Sequence, residues 1–323
     1  MKSEPLAPSP AAHSPTPAIT RITAVLALLA IPLALLAAGC GGGGGATAAE
    51  DGKLNVVAAE NFWGSIAAQL GGEEVTVTSL IDNPAADPHD YEPTSADARA
   101  FAAAQIAIVN GIGYDEWASK LLDASPDSSR EELTVGDVVG LENGDNPHQW
   151  YSPRSVHRVV DAIVAAYEAA MPGKALYFQQ QKAKFEGAGL AEYERLIARI
   201  KARYGGAPVG ASESIFEPLA PALGLRLVTP RGFMDAVSEG TEATPAEKAT
   251  GNEQIEDRQI DLWVYNSQNA TPDVKRLNEA AEAAGIPIAT VTETMTPAGA
   301  SFEEWMVAEL KGIEAALARG AGH

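Results

Sequence analysis

Cysteine is almost missing from this chain: Cys40 is the only one in 323 residues. A lone cysteine makes no intramolecular disulfide and no cysteine-cluster zinc site, so any metal held here must be bound by imidazole and carboxylate. Basic residues are also scarce, 23 Lys and Arg against 43 Asp and Glu, for a formal charge of −20. That balance argues against nucleic acid as a partner, because nucleic acid is held mainly by Lys and Arg neutralising phosphates. A membrane-spanning helix needs ~20 unbroken apolar residues, and the most apolar stretch, Ile22 to Ala38, is shorter and carries Pro32. What the chain does have is apolar surface. It is 46% hydrophobic and 20% charged, the composition of a chain that folds around a core. Its length suits two lobes, each large enough for its own core.

The N-terminus explains the cysteine. Lys2 and Arg21 precede the apolar run, which ends in small residues just before Cys40, the pattern of a secretory signal. The sequence LLAAGC, from Leu35 to Cys40, followed by Gly41 to Gly45, resembles a bacterial lipobox and tether. It departs from the usual pattern in having Ala37 where leucine is common. The resemblance implies lipidation of Cys40, with plain secretion as the alternative. Residues 1–39 are then signal, and residues 40–51 a lipidated, glycine-rich leash.

Beyond the leash, short β-branched runs alternate with amphipathic stretches, the signature of βαβ units and parallel sheet. The first set of strands is expected at Leu54 to Ala59, Val75 to Leu80, Ile106 to Gly111 and around Val135 to Val139. The second set is expected at Pro208 to Ser212, Arg226 to Thr229, Leu262 to Asn266 and Ile286 to Val291. Between them, Val156, Val159, Val160, Ile163, Val164 and Tyr167 recur at helical spacing and mark one buried face. A further helical stretch runs from Lys174 to Tyr204, and Gly187 and Gly189 predict a bend or break in it. The fold class is therefore α/β: two lobes, each with a mostly parallel sheet flanked by helices, joined by a long linking helix. The lobes are placed at residues 52–171 and 205–320, with the linker at residues 172–204.

Five histidines narrow the chemistry. His13 lies in the signal, His323 ends the chain, and His157 precedes Asp161 by one helical turn, as a solvated imidazole with a carboxylate neighbour would. His89, in DPHDYEPT, and His148, in NPHQWYSP, each directly follow a proline. Proline stiffens the turn that presents the imidazole, and in open α/β sheets ligands bind where loops converge beyond the strand ends. The parallel construction of the two motifs points to a common ligand.

These motifs resemble those of the solute-binding proteins of bacterial ABC importers for zinc and manganese, two-lobed lipoproteins joined by a long helix. The resemblance runs from Leu54 to about Leu317. DPHDYEPT and NPHQWYSP match the family's two histidine motifs, with NGIGYDEW, Asn110 to Trp117, matching the asparagine-glycine segment between them. ASESIFEPLA, Ala211 to Ala220, matches the third-ligand segment and puts Glu213 there; TETM, Thr292 to Met295, matches the fourth, with Glu293 replacing the usual aspartate. The resemblance thus implies His89, His148, Glu213 and Glu293 as metal ligands. Glu60, Asp90, Asn146 and Trp150 are candidate supporting residues, since a ligating imidazole usually donates its other nitrogen to an oxygen.

Two neutral imidazoles and two carboxylates would cancel the charge of a divalent ion. Their affinity should fall below about pH 6, where imidazole protonates. Within the family it resembles, two carboxylates are common in manganese receptors and a histidine-rich loop before the second histidine motif in zinc receptors; this chain has no histidine between His89 and His148, so the resemblance leans toward manganese, while zinc remains compatible with such donors. The implied role is a receptor, not an enzyme: a monomer anchored through Cys40 to the outer face of the cytoplasmic membrane. It would pass a zinc or manganese ion to the importer's permease and ATPase subunits. Two alternatives from other classes are a secreted zinc-dependent hydrolase, which lacks an HExxH helix here, and a receptor for an organic solute or a surface adhesin.

Overall fold

The computed structural model describes residues 52–83 and 91–320. Cys40, His89 and Asp90 lie outside the described residues. The chain forms two α/β lobes. In the first, β1 (Leu54–Glu60), β2 (Val75–Ile81), β3 (Ile106–Val109) and β4 (Glu131–Thr134) pair in parallel, in the order β2-β1-β3-β4. In the second, β5 (Pro208–Ala211), β6 (Arg226–Leu227), β7 (Leu262–Asn266) and β8 (Ile288–Val291) repeat that arrangement as β6-β5-β7-β8. Both sheets reverse winding direction beside their first strand, which opens a crevice at the carboxyl ends of β1 and β3 and of β5 and β7. All four strands of the central pairs are rich in buried Val, Ile, Leu or Ala, as strands covered on both faces must be.

Helices α1 (Asn61–Gly71), α2 (Ser95–Ala103), α3 (Glu116–Ala124) and α4 (Val135–Val139) belong to the first lobe, and α8 (Arg231–Ser238), α9 (Pro245–Glu256) and α10 (Pro272–Ala284) to the second. Starts are set locally. Thr94 caps α2 and Thr244 caps α9, each in a reciprocal capping box with the acid at N3, Asp97 and Glu247. Ser152 caps α5 (Pro153–Ala170), whose Pro153 sits in the first turn, where a missing N–H costs nothing. The expected apolar face of α5 is buried throughout. After it come α6 (Ala175–Lys184), a π-helical turn at Phe185–Gly189, and α7 (Ala191–Tyr204). The interruption expected at Gly187 and Gly189 is thus a widened turn. The final helix, α11 (Phe302–Gly320), packs on α7, β8 and α1, and so touches both lobes.

Two expectations are corrected. The segment Val135–Val139 is helix, not strand. The fourth strand is the preceding Glu131–Thr134, an edge strand whose two glutamates are exposed. His157 does not pair with Asp161. Its two ring nitrogens lie 3.4 Å from Glu186 Oε1 and 3.2 Å from Glu194 Oε1, while Lys182 takes Asp161.

One apolar cluster runs through both lobes. At its centre Phe62 stacks on Trp150 with ring centroids 4.1 Å apart, and Trp305 lies 6.5 Å from Phe62 on the other lobe's last helix. Main-chain donors of the second lobe reach side chains of the first, Phe302 N to Ser65 Oγ at 3.0 Å and Met295 N to Asn61 Oδ1 at 3.4 Å.

Candidate metal site between the lobes

The chemistry-bearing residues converge where the carboxyl ends of the two sheets face each other. His148 follows Pro147 and is fully buried. Its Nδ1 lies 2.9 Å from Asn146 Oδ1, which also accepts the His148 backbone N–H at 3.0 Å. The amide orientation of Asn146 is fixed by its own nitrogen, which donates to Ser214 O at 2.7 Å and Glu217 Oε2 at 2.9 Å in the other lobe. An amide oxygen only accepts, so the ring proton sits on Nδ1 and the Nε2 lone pair points away from Asn146.

What faces that lone pair is Glu293, placed two residues beyond β8 and buried. Its Oε1 is 3.4 Å from His148 Nε2 and accepts from Asn266 Nδ2 at 3.2 Å, while Oε2 accepts from Tyr114 Oη at 2.9 Å. A neutral imidazole nitrogen and a carboxylate oxygen are both acceptors, and a cation placed between them would bind both. Two bonds of ~2.1 Å meeting at a tetrahedral angle hold their donors about 3.4 Å apart, the separation found here.

Glu213 extends from the end of β5 with fully extended backbone and is buried. Its Oε2 accepts from Asn269 Nδ2 at 3.0 Å and Ser238 Oγ at 3.5 Å, and among the described residues its Oε1 has no hydrogen-bond partner. Burial and then the charge of Glu293 push this carboxyl up to about 8, against donation from Asn266, Asn269 and Ser238. Two neighbouring buried carboxyls suit a divalent cation, which satisfies both charge and coordination. A cavity of about 210 Å³, lined in part by Ile112, Pro147, His148, Ser214 and Ser238, opens beside the site.

Of the four sequence-predicted ligands, His148 and Glu293 are thus brought into contact, and Glu213 is within electrostatic reach of Glu293. Among the described residues no three His, Cys, Asp or Glu side chains converge closely enough to hold an ion by themselves. The supporting candidates differ in what they do. Asn146 orients His148 directly. Trp150 packs edge-on against the imidazole, centroids 5.3 Å apart. Glu60 ends β1 fully buried beside Asp115. Burial, and then the adjacent Asp115, raise its carboxyl well above the usual range.

Four contributors, Tyr114, Asp115, Asn266 and Asn269, do not stand out individually in the sequence. Asp115 accepts the N–H groups of Asn110 and Gly111, both at 2.7 Å, and so closes the loop that presents Tyr114 to Glu293. That loop holds Gly111, Ile112 and Gly113 all at positive φ, a strained conformation for the β-branched Ile112. Asn266 and Asn269, at and beyond the end of β7, donate to the two glutamates. Asn110 and Asp115 do lie within the NGIGYDEW segment. Nothing local marks a contact between residues 114 and 293.

Two lobes of identical sheet order, with an imidazole from one in contact with a carboxylate from the other at the strand ends, have the architecture of a two-lobed binding protein. The chain belongs to the family described as zinc-uptake complex component A, periplasmic (ZnuA), which it matches over residues 56–316. It is 31% identical over 134 residues to the manganese-binding lipoprotein MntA of Halalkalibacterium halodurans, covering 41% of this chain and 44% of that protein. It is 26% identical over 294 residues to the zinc-binding lipoprotein AdcA of Streptococcus pneumoniae, covering 82% of this chain and 56% of that one. The chain therefore spans about half the length of these curated relatives. Its fold is that of the manganese-bound periplasmic metal-binding protein of Candidatus Liberibacter asiaticus, with a TM-score of 0.68 and 19% identity over 82% of this chain and all of the other. Membership in this family gives no support to the hydrolase, organic-solute and adhesin readings.

Proposed function

We propose that this protein is an extracytoplasmic receptor that captures one divalent transition metal ion, zinc or manganese, and delivers it to the permease and ATPase subunits of an ABC importer. The observation that carries this reading is the 3.4 Å approach of His148 Nε2 to Glu293 Oε1, with the imidazole tautomer fixed by Asn146 from the far side. In this reading His148 and His89 supply nitrogen from the first lobe, and Glu213 and Glu293 supply oxygen from the second. Two carboxylates balance the ion's charge, so a neutral site is buried when the ion binds. Because the donors come from both lobes, the ion completes the surface between them, and that completed surface is what a membrane partner reads. Cys40 carries the lipid that holds the receptor, a monomer, at the outer face of the cytoplasmic membrane.

The relatives' names include both a manganese and a zinc protein, and nitrogen with carboxylate oxygen accommodates either ion. Calorimetric titration of the purified protein with Zn²⁺ and with Mn²⁺ tests the proposal. One tight site per chain is expected, weakened at least tenfold in His148→Ala; a wild-type protein that binds neither ion refutes it.

A further inference from the structure

Behind the site lies a polar knot for which ion binding alone provides no use. Tyr151 ends the 3₁₀ turn Gln149–Tyr151 that directly follows His148. Its hydroxyl crosses to the second lobe, 3.0 Å from Thr292 O, 3.2 Å from Thr292 N and 2.6 Å from Glu309 Oε2. The other oxygen of Glu309 accepts from Thr292 Oγ1 at 3.0 Å and from Trp305 Nε1 at 2.9 Å. Thr292, the residue before Glu293, is therefore gripped at its N–H, carbonyl and hydroxyl. The residues that hold it are Tyr151, on the His148 segment, and Glu309 and Trp305, on α11, the indole N–H of Trp305 donating to Thr292 Oγ1 at 2.8 Å.

We infer that Tyr151 and Glu309 are positioning residues that hold the Glu293 turn in register with the His148 segment, and so set how tightly the metal ion is retained. This rests on the receptor function proposed above. The proton count supports it. A phenol has one hydrogen, so Tyr151 cannot donate to Thr292 O and to Glu309 at once. When Glu309 carries a proton, Tyr151 accepts from it and from Thr292 N–H and donates to Thr292 O, and every partner is satisfied. An amide at position 309 can donate in the same way, whereas an aliphatic side chain cannot. A donor pair that must stay within about 0.5 Å of its working distance needs such support from outside the ligands. The link joins the halves of the site through two steps, His148 to Tyr151 along the chain and Tyr151 to Thr292 across the cleft.

The test uses the purified protein, with Zn²⁺ and Mn²⁺ affinity measured by chelator competition and release measured by mixing with excess chelator. Tyr151→Phe and Glu309→Leu should each weaken affinity at least tenfold and speed release, while Glu309→Gln should stay within threefold of wild type. The decisive readout is a second background. In Glu293→Gln, where the held turn no longer carries a ligand carboxylate, Tyr151→Phe should cost less than twofold. Wild-type affinity in both Tyr151→Phe and Glu309→Leu would overturn the inference. An undiminished Tyr151→Phe effect in Glu293→Gln would also overturn it, as the mark of a general packing role. Either result leaves tight wild-type binding, and with it the receptor reading, intact; a wild-type protein that binds neither ion overturns the receptor reading itself.

Discussion

At His148 the decisive group is Asn146. Its oxygen takes the Nδ1 proton while its nitrogen reaches Ser214 and Glu217 across the cleft, so one amide sets both the imidazole tautomer and part of the lobe contact. Asn146→Ala should weaken metal affinity by about 10- to 100-fold, the usual effect of removing a partner that orients a ligand. Chelator competition measures this, and an unchanged affinity would show that the tautomer needs no support. Glu213 makes a different prediction. A carboxyl pushed up to about 8 by burial and by Glu293 is poorly satisfied without a cation, so Glu213→Gln should raise the melting temperature of the metal-free protein and weaken metal affinity at least tenfold. Differential scanning calorimetry with and without metal checks both signs. In the sequence His148 stands out through its proline-stiffened motif, whereas Glu213 and Glu293, two acids among 43, stand out only through the resemblance of the segments that hold them. Tyr114, Asn266 and Asn269 do not stand out, because a hydrogen bond spanning 179 residues, as from Tyr114 to Glu293, leaves no mark on local pattern.

Among the elements, the regular strands could be read from the β-branched runs, and the exceptions have a physical cause. Val135, Val138 and Val139 suggested a strand, yet three valines spaced i, i+3, i+4 also make one face of a helical turn, and there the valines pack on the core. The true β4, Glu131–Thr134, carries two glutamates that suit an exposed sheet edge and hide its strand character. The placement of His157 between Glu186 and Glu194 depends on how α5 meets the π-helical turn and α7, which helical spacing within α5 cannot reveal. Glu309 on α11 offers a test of element-level electrostatics. Burial raises its carboxyl to about 8, against donors Tyr151, Thr292 and Trp305, while an unfolded glutamate titrates near ~4.3. A carboxyl raised on folding gives its full stabilisation below the unfolded value and loses it as pH climbs through the folded value. Stability of Glu309→Gln relative to wild type should therefore rise steadily between about pH 5 and pH 9 in urea titrations; parallel pH profiles would contradict this.

For the whole molecule, the apolar cluster that passes through both lobes restrains their relative motion. Separate domains slide or hinge readily unless their interface is large and hydrophobic, and here Phe62, Trp150 and Trp305 build such an interface directly beneath the site. Trp150→Ala should destabilise the protein by about 3–5 kcal/mol, the range for deleting a large buried aromatic, as read from denaturant midpoints. The same continuity predicts that metal loading shifts the backbone by no more than ~1 Å, as in other pre-organised complexes, with a small-angle scattering profile nearly unchanged. The two-lobe architecture itself was readable from alternating strand and helix patterns. The fusion of the two cores was not, since it depends on aromatics such as Phe62 and Trp305 that are distant in sequence and meet only in the folded chain.

The most direct test of the account is anomalous diffraction from crystals loaded with Mn²⁺ or Zn²⁺. One ion is expected per chain, ~2.0–2.2 Å from His148 Nε2 and from a carboxylate oxygen of Glu293, with Glu213 drawn into the same sphere. An ion bound elsewhere, or a cleft in which His148 and Glu293 keep their contact without one, would contradict it.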